Sequence, residues 1–64
     1  MKHYRVITTD GHIMCESNVR MEINVLAIQH AKHMQETMII QKWYEFEGYL
    51  DEARVPPDGE TRTY

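Results

Sequence analysis

Residues 37–49, TMIIQKWYEFEGY, fit two secondary structures, and the choice between them decides the fold. As a strand the segment places Met38, Ile40, Tyr44 and Phe46 on one face and Ile39 and Trp43 on the other, and its Ile, Trp, Tyr and Phe content suits a pleated, half-buried surface. As a helix it aligns Ile39, Trp43, Phe46, Leu50 and Ala53 in one stripe, but Gly48 interrupts that stripe and Ile40 and Tyr44 face away. The strand is the better reading, ending near Glu47 with a turn at Gly48.

The preceding segment, NVLAIQHAKHMQ at 24–35, carries apolar residues at helical spacing. Leu26, Ala27, His30, Ala31 and Met34 share one face of a 3.6-residue repeat, with Gln29 and Lys32 opposite. The phase breaks after Gln35, so the helix ends near Glu36. Residues 18–23 are ambiguous. Val19, Met21 and Ile23 alternate with Arg20 and Glu22, which favours a strand extension with Asn24 as helix N-cap over a longer helix capped by Ser17 or Asn18.

Further toward the N-terminus, Asp10-Gly11 separates two extended-type runs, HYRVITT and HIMCES. An Asp-Gly pair suits a type I′ turn, which sets Thr9 against His12, Thr8 against Ile13, Ile7 against Met14, Val6 against Cys15, Arg5 against Glu16 and Tyr4 against Ser17. That register collects Tyr4, Val6, Thr8, Ile13, Cys15 and Ser17 on a core side and pairs Arg5 with Glu16 on the other. The chain therefore reads as a small α+β domain, a hairpin, one helix and a third antiparallel strand (ββαβ), with ββαα as the alternative. The domain covers residues 1–54, and the Pro56-Pro57 pair and Gly59 mark 55–64 as an extended, flexible tail.

Size and charge restrict function. A domain of 64 residues buries only about 60% of the surface its unfolded chain exposes, which leaves little room for a deep substrate cavity. One cysteine excludes an internal disulfide and fits a reducing cytoplasm. There is no long apolar run to span a membrane and no signal-peptide core. Net charge is −3, of which residues 1–35 contribute +1 and residues 36–64 contribute −4. With no Lys/Arg stripe, nucleic acid is a poor partner.

Four residues have zinc-ligand chemistry: His12 and Cys15 on the hairpin, His30 and His33 on the helix. Their order resembles a degenerate ββα zinc finger, which implies a small zinc-binding domain as the alternative function. The hairpin register sends His12 and Cys15 to opposite faces, and His30 and His33 are more closely spaced than in that finger. A Cys15–His30 nucleophile pair lacks an orienting group and an oxyanion site. No cofactor is implied.

What remains is an aromatic, acidic segment: Trp43, Tyr44, Glu45, Phe46, Glu47, Tyr49, Asp51 and Glu52. Aromatic rings anchor protein interfaces and the carboxylates suit a basic partner surface, although a chain this short also needs rings for its core. Ile7, Met14, Ile39 and Trp43 would share the sheet face away from the helix, an apolar patch of the kind that marks homodimer or partner contact. The expected function is that of a non-catalytic cytoplasmic protein-binding module. By analogy of size and charge alone, phage and mobile-element inhibitors of host machinery take this form.

Overall fold

The computed structural model describes residues 2–63, which form five antiparallel strands and one helix. The elements are β1 (Tyr4–Thr8), β2 (Ile13–Ser17), α1 (Arg20–Met34), β3 (Met38–Tyr44), β4 (Gly48–Val55) and β5 (Arg62–Thr63). The sheet order is β2-β1-β3-β4-β5. The α+β class holds, and the strand expected within 37–49 is present as Met38–Tyr44, ending three residues before Glu47. The sheet is wider than ββαβ, and two strands stand where ββαα would place a second helix.

In the first hairpin, three expected pairs are present, Tyr4 with Ser17, Arg5 with Glu16 and Val6 with Cys15. Beyond them the register shifts: Ile7 faces Ile13, and Met14 is the extra residue of a bulge. The turn explains the shift. Type I′ geometry requires positive φ at both Asp10 and Gly11, and only Gly11 has it, at +95°. The chain instead closes over Thr9–Gly11, with Gly11 N–H on Thr8 C=O (3.0 Å) and Thr8 N–H on His12 C=O (2.9 Å). The Thr8 hydroxyl accepts from His12 N–H (3.0 Å) and donates to the Asp10 carboxylate, fixing the loop from within. Met14 packs against the core cluster rather than beside Ile7.

Helix α1 begins at Arg20, so the strand extension expected over Val19–Ile23 is replaced by helix. Ser17 and Asn18 do not cap it conventionally. Ser17 Oγ accepts Val19 N–H (3.0 Å), Asn18 Oδ1 accepts His3 N–H (2.9 Å), and Val19 at the N-cap makes no side-chain cap bond. The earlier start brings Ile23 into phase with Ala27 and Ala31, and these three are the buried residues of the helix. The buried stripe is thus rotated from the expected Leu26/His30/Met34 face. Two alanines let the helix backbone approach the sheet, while Met34 stays exposed. Gln35 ends the helix in the left-handed region (φ 54°), as C-terminal caps commonly do.

The second hairpin pairs Trp43 with Tyr49 and Tyr44 with Gly48 around a three-residue turn, 45–47. Gly48 (φ +79°) opens β4 rather than ending the strand before it. A second bulge, at Glu52, re-phases β4 so that Ala53 and Val55 face the helix. The fully buried core is Val6, Ile23, Ala27, Ala31, Met38, Ile40, Ala53 and Val55. Val55 therefore belongs to the domain, not the tail. Beyond it Gly59 N–H bonds Pro56 C=O (2.9 Å), a turn that returns Arg62–Thr63 to pair with Arg54 and Ala53.

If Val55 is core, Val55→Ala removes two buried methyl groups and leaves a cavity. The expected loss is about 2 kcal/mol in urea unfolding with an unchanged m-value.

Candidate functional site

The eight aromatic and acidic residues all fall on the β3–β4 hairpin, where folding divides them in two. Four are engaged inside the molecule. Trp43 meets Tyr49 edge-to-face at 5.1 Å between ring centroids, the geometry that ring quadrupoles favour. Tyr49 donates its hydroxyl to Lys2 C=O (2.7 Å) and carries the Arg5 guanidinium 3.8 Å above its ring. Asp51 accepts from Gln41 Nε2 (2.7 Å), and Glu52 accepts from Arg20 Nε (2.7 Å), which fastens the helix N-terminus to the β4 bulge. The other four, Tyr44, Glu45, Phe46 and Glu47, are exposed at the hairpin end, where the Lys42 ammonium lies 5.4 Å from the Tyr44 ring centroid. Phe46 is 91% exposed.

The sheet face away from α1 is not the open apolar patch that Ile7, Met14, Ile39 and Trp43 would form. Ile7 is only 9% exposed, Met14 lies with the core, and Ile39 and Trp43 are half-buried. A polar row crosses this face instead. Arg5 Nε donates to Gln41 Oε1 (2.8 Å), and Gln41 passes the chain on to Asp51. Gln41 is 8% exposed, so its amide is satisfied at both ends under its neighbours. The sequence sets Arg5 against Glu16 but does not link it to Gln41 and Asp51, because that alignment depends on the β1–β3 pairing and on a β4 not expected there.

Exposed apolar side chains gather elsewhere as well. Val19, Met21, Val25 and Leu26, with Glu22 and Gln29, line a shallow groove on α1, and Met21 is 77% exposed. This surface follows from the early helix start, which turns Met21 and Val25 away from the sheet.

The zinc set is not assembled. His12 sits at the exposed turn with Nδ1 3.3 Å from Asp10, His33 is exposed on α1, and Cys15 and His30 are half-buried on different elements. Among the described residues no group of three or more His, Cys, Asp or Glu is placed to hold a metal. The Cys15 thiol is pushed above its ordinary pKa, first by burial and then by the carboxylates of Glu16 and Glu22. A catalytic thiolate requires the reverse. The Asp10 carboxyl is held below its usual value, chiefly by the Thr8 hydroxyl and secondarily by His12. The order Thr8–Asp10–His12 gives the hydroxyl no base, since it donates to the carboxylate rather than to the imidazole.

Compared with protein-family models, curated proteins and solved structures, the chain gives no match. Among the described residues no helix is long and apolar enough to cross a membrane.

Cys15 alkylation by iodoacetamide is expected to be slow at neutral pH and to rise with a midpoint above that of free cysteine. The linked effect on stability is alkaline. Below the ordinary thiol pKa the group contributes no pH dependence, and above it the unfolded chain ionises first, so stability falls as pH rises toward the folded value. Cys15→Ser should remove that alkaline decline in a urea titration.

Proposed function

We propose that this chain is a small, non-catalytic, cytoplasmic protein-binding module whose β3–β4 hairpin end engages a partner with a basic surface. The observation that carries the reading is Phe46, 91% exposed at the apex of the turn between Glu45 and Glu47. Folding does not use this ring, whereas an interface would. Burying a phenyl ring in a partner's apolar pocket is the kind of contact that dominates binding energy, and flanking carboxylates steer the turn toward Lys/Arg-rimmed surfaces.

Rigidity of the support favours the same reading. Trp43 and Tyr49 brace the base of the hairpin, and Gly48 permits the positive φ that closes it, with Trp43 3.6 Å from where a Cβ would stand. The turn is thus pre-organised, which lowers the ordering cost of association. Trp43 and Tyr49 act as supports, while Tyr44 and Phe46 make contact. Such a module works by occluding or bridging its partner, with Cys15 kept as a thiol.

A photo-crosslinking residue at position 46, with mass-spectrometric mapping of the product, is expected to label a Lys/Arg-rich surface of one protein. Phe46→Ala should weaken capture of that protein by about 2 kcal/mol or more, while the melting temperature stays within a degree or two. Glu45→Lys with Glu47→Lys should slow association. Capture unaffected by Phe46→Ala, or crosslinks found from position 25 on the helix and none from 46, would refute the assignment.

A further inference from the structure

We infer that the helix-free face of the sheet is the interface of a homodimer, with Arg5 of each copy paired to Asp51 of the other. The inference starts from one cross-strand row. Arg5 is opposite Gln41, and Gln41 is opposite Asp51, so a cation, a neutral amide and an anion lie in line across β1, β3 and β4. The row is antisymmetric in charge about Gln41. Consider a two-fold axis lying between two stacked sheets and running parallel to β3 over Gln41. It exchanges β1 of one copy with β4 of the other, and so lays Arg5 over Asp51 and Asp51 over Arg5. A surface that must complement itself needs such a pattern.

The neighbouring rows tolerate the same operation. Ile39 stacks on Ile39 and Trp43 on Trp43 of the second copy, giving an apolar contact on each side of the charged row. Ile7, in register with Ile39 and Arg54, is only 9% exposed and adds little to the contact. Aligned sheets packed face to face through interdigitating side chains are a common arrangement.

Arg5 is also prepared for a partner. Among the described residues its Nε alone is hydrogen-bonded, to Gln41, and its Cζ lies 3.8 Å over the Tyr49 ring centroid. Glu16 stands opposite it on β2, yet among the described residues the Arg5 terminal nitrogens make no ion pair with it or with any other carboxylate. A planar guanidinium with a free fork suits bidentate carboxylate recognition, and one oxygen of Asp51 remains outside the Gln41 bond. The face has modest extent. The seven residues of β3 span about 24 Å and the three strands β1, β3 and β4 cover roughly 14 Å across, a footprint below that of a standard-sized interface. A contact of this size makes a weak, concentration-dependent dimer.

Sedimentation equilibrium of the full chain across about a hundredfold dilution range, read together with Trp43 fluorescence, tests this. Trp43 is the only tryptophan. The wild type is expected to pass from dimer to monomer on dilution, and Trp43 emission should shift to the red over the same range. Each dimer contains the ion pair twice, so Arg5→Glu or Asp51→Arg alone should weaken it by about a hundredfold. The Arg5→Glu/Asp51→Arg double variant should recover to within about tenfold of wild type, because the Gln41 amide can turn over to serve the exchanged charges. Far-UV circular dichroism checks folding. Should Arg5→Glu not fold, Asp51→Arg decides alone, since Asp51 is exposed. A monomer throughout, a dimer indifferent to Asp51→Arg, a native double variant that stays monomeric, or Trp43 emission constant through dissociation would each overturn the inference. So would a dimer abolished by Met21→Lys/Val25→Lys but not by Asp51→Arg, which would place the contact on the helix groove.

Discussion

Strand β1 is paired along both edges, to β2 through a local turn and to β3 across the whole length of α1, and the second of these pairings holds the two halves of the chain together. It sets Val6 beside Ile40 and Thr8 beside Met38, the platform on which Ile23, Ala27 and Ala31 rest. On the opposite face the same register places Arg5 against Gln41. A one-residue slip of β1 against β3 would send Val6 and Ile40 to different faces and dismantle the core and the polar row together. The small side chains of Ala27, Ala31 and Ala53 keep helix and sheet close enough for a chain this short to have a core at all.

Much of this was legible in the sequence because it rests on local chemistry. Asp10-Gly11 announced a turn, three of the hairpin pairs followed from it, and the β-branched and aromatic run at 37–49 outweighed its helical stripe. What escaped were features that break a period rather than make one. Each bulge inserts one residue, and no periodicity reveals an insertion. Met14 was thereby misplaced. In β4, Glu52 disrupts the alternation that would have linked Tyr49 and Asp51 to Ala53 and Val55. The helix start was obscured because Val19, Met21 and Ile23 satisfy a period of two while Ile23, Ala27 and Ala31 satisfy a helical one. Burial chose the second.

The candidate site was legible as a segment but not as a division of labour. Composition could show that Trp43, Tyr44, Phe46 and Tyr49 lie among carboxylates. It could not show that Tyr49 would turn inward against Arg5 and Lys2 with Trp43 edge-to-face on it, nor that Asp51 and Glu52 would each find an internal donor. Lys2, Arg5 and Arg20 come from the N-terminal segment, β1 and the start of α1, distant in sequence, and Gln41 comes from the neighbouring strand β3. The result is a rigid support with a small exposed end, consistent with a scaffold that holds a few contact residues still.

The bulges at Met14 and Glu52 bear on how the protein behaves when concentrated. Strand β2 leaves one edge of the sheet open, and the two-residue β5 covers only part of β4 at the other. Open edges are templates for indefinite strand addition. A bulge bends and twists the strand that carries it, so neither edge offers a straight ladder, and Glu16, Asp51 and Glu52 place charge along the same strands. The irregularities that hide the fold from a periodic reading of the sequence thus also guard the molecule against fibril growth.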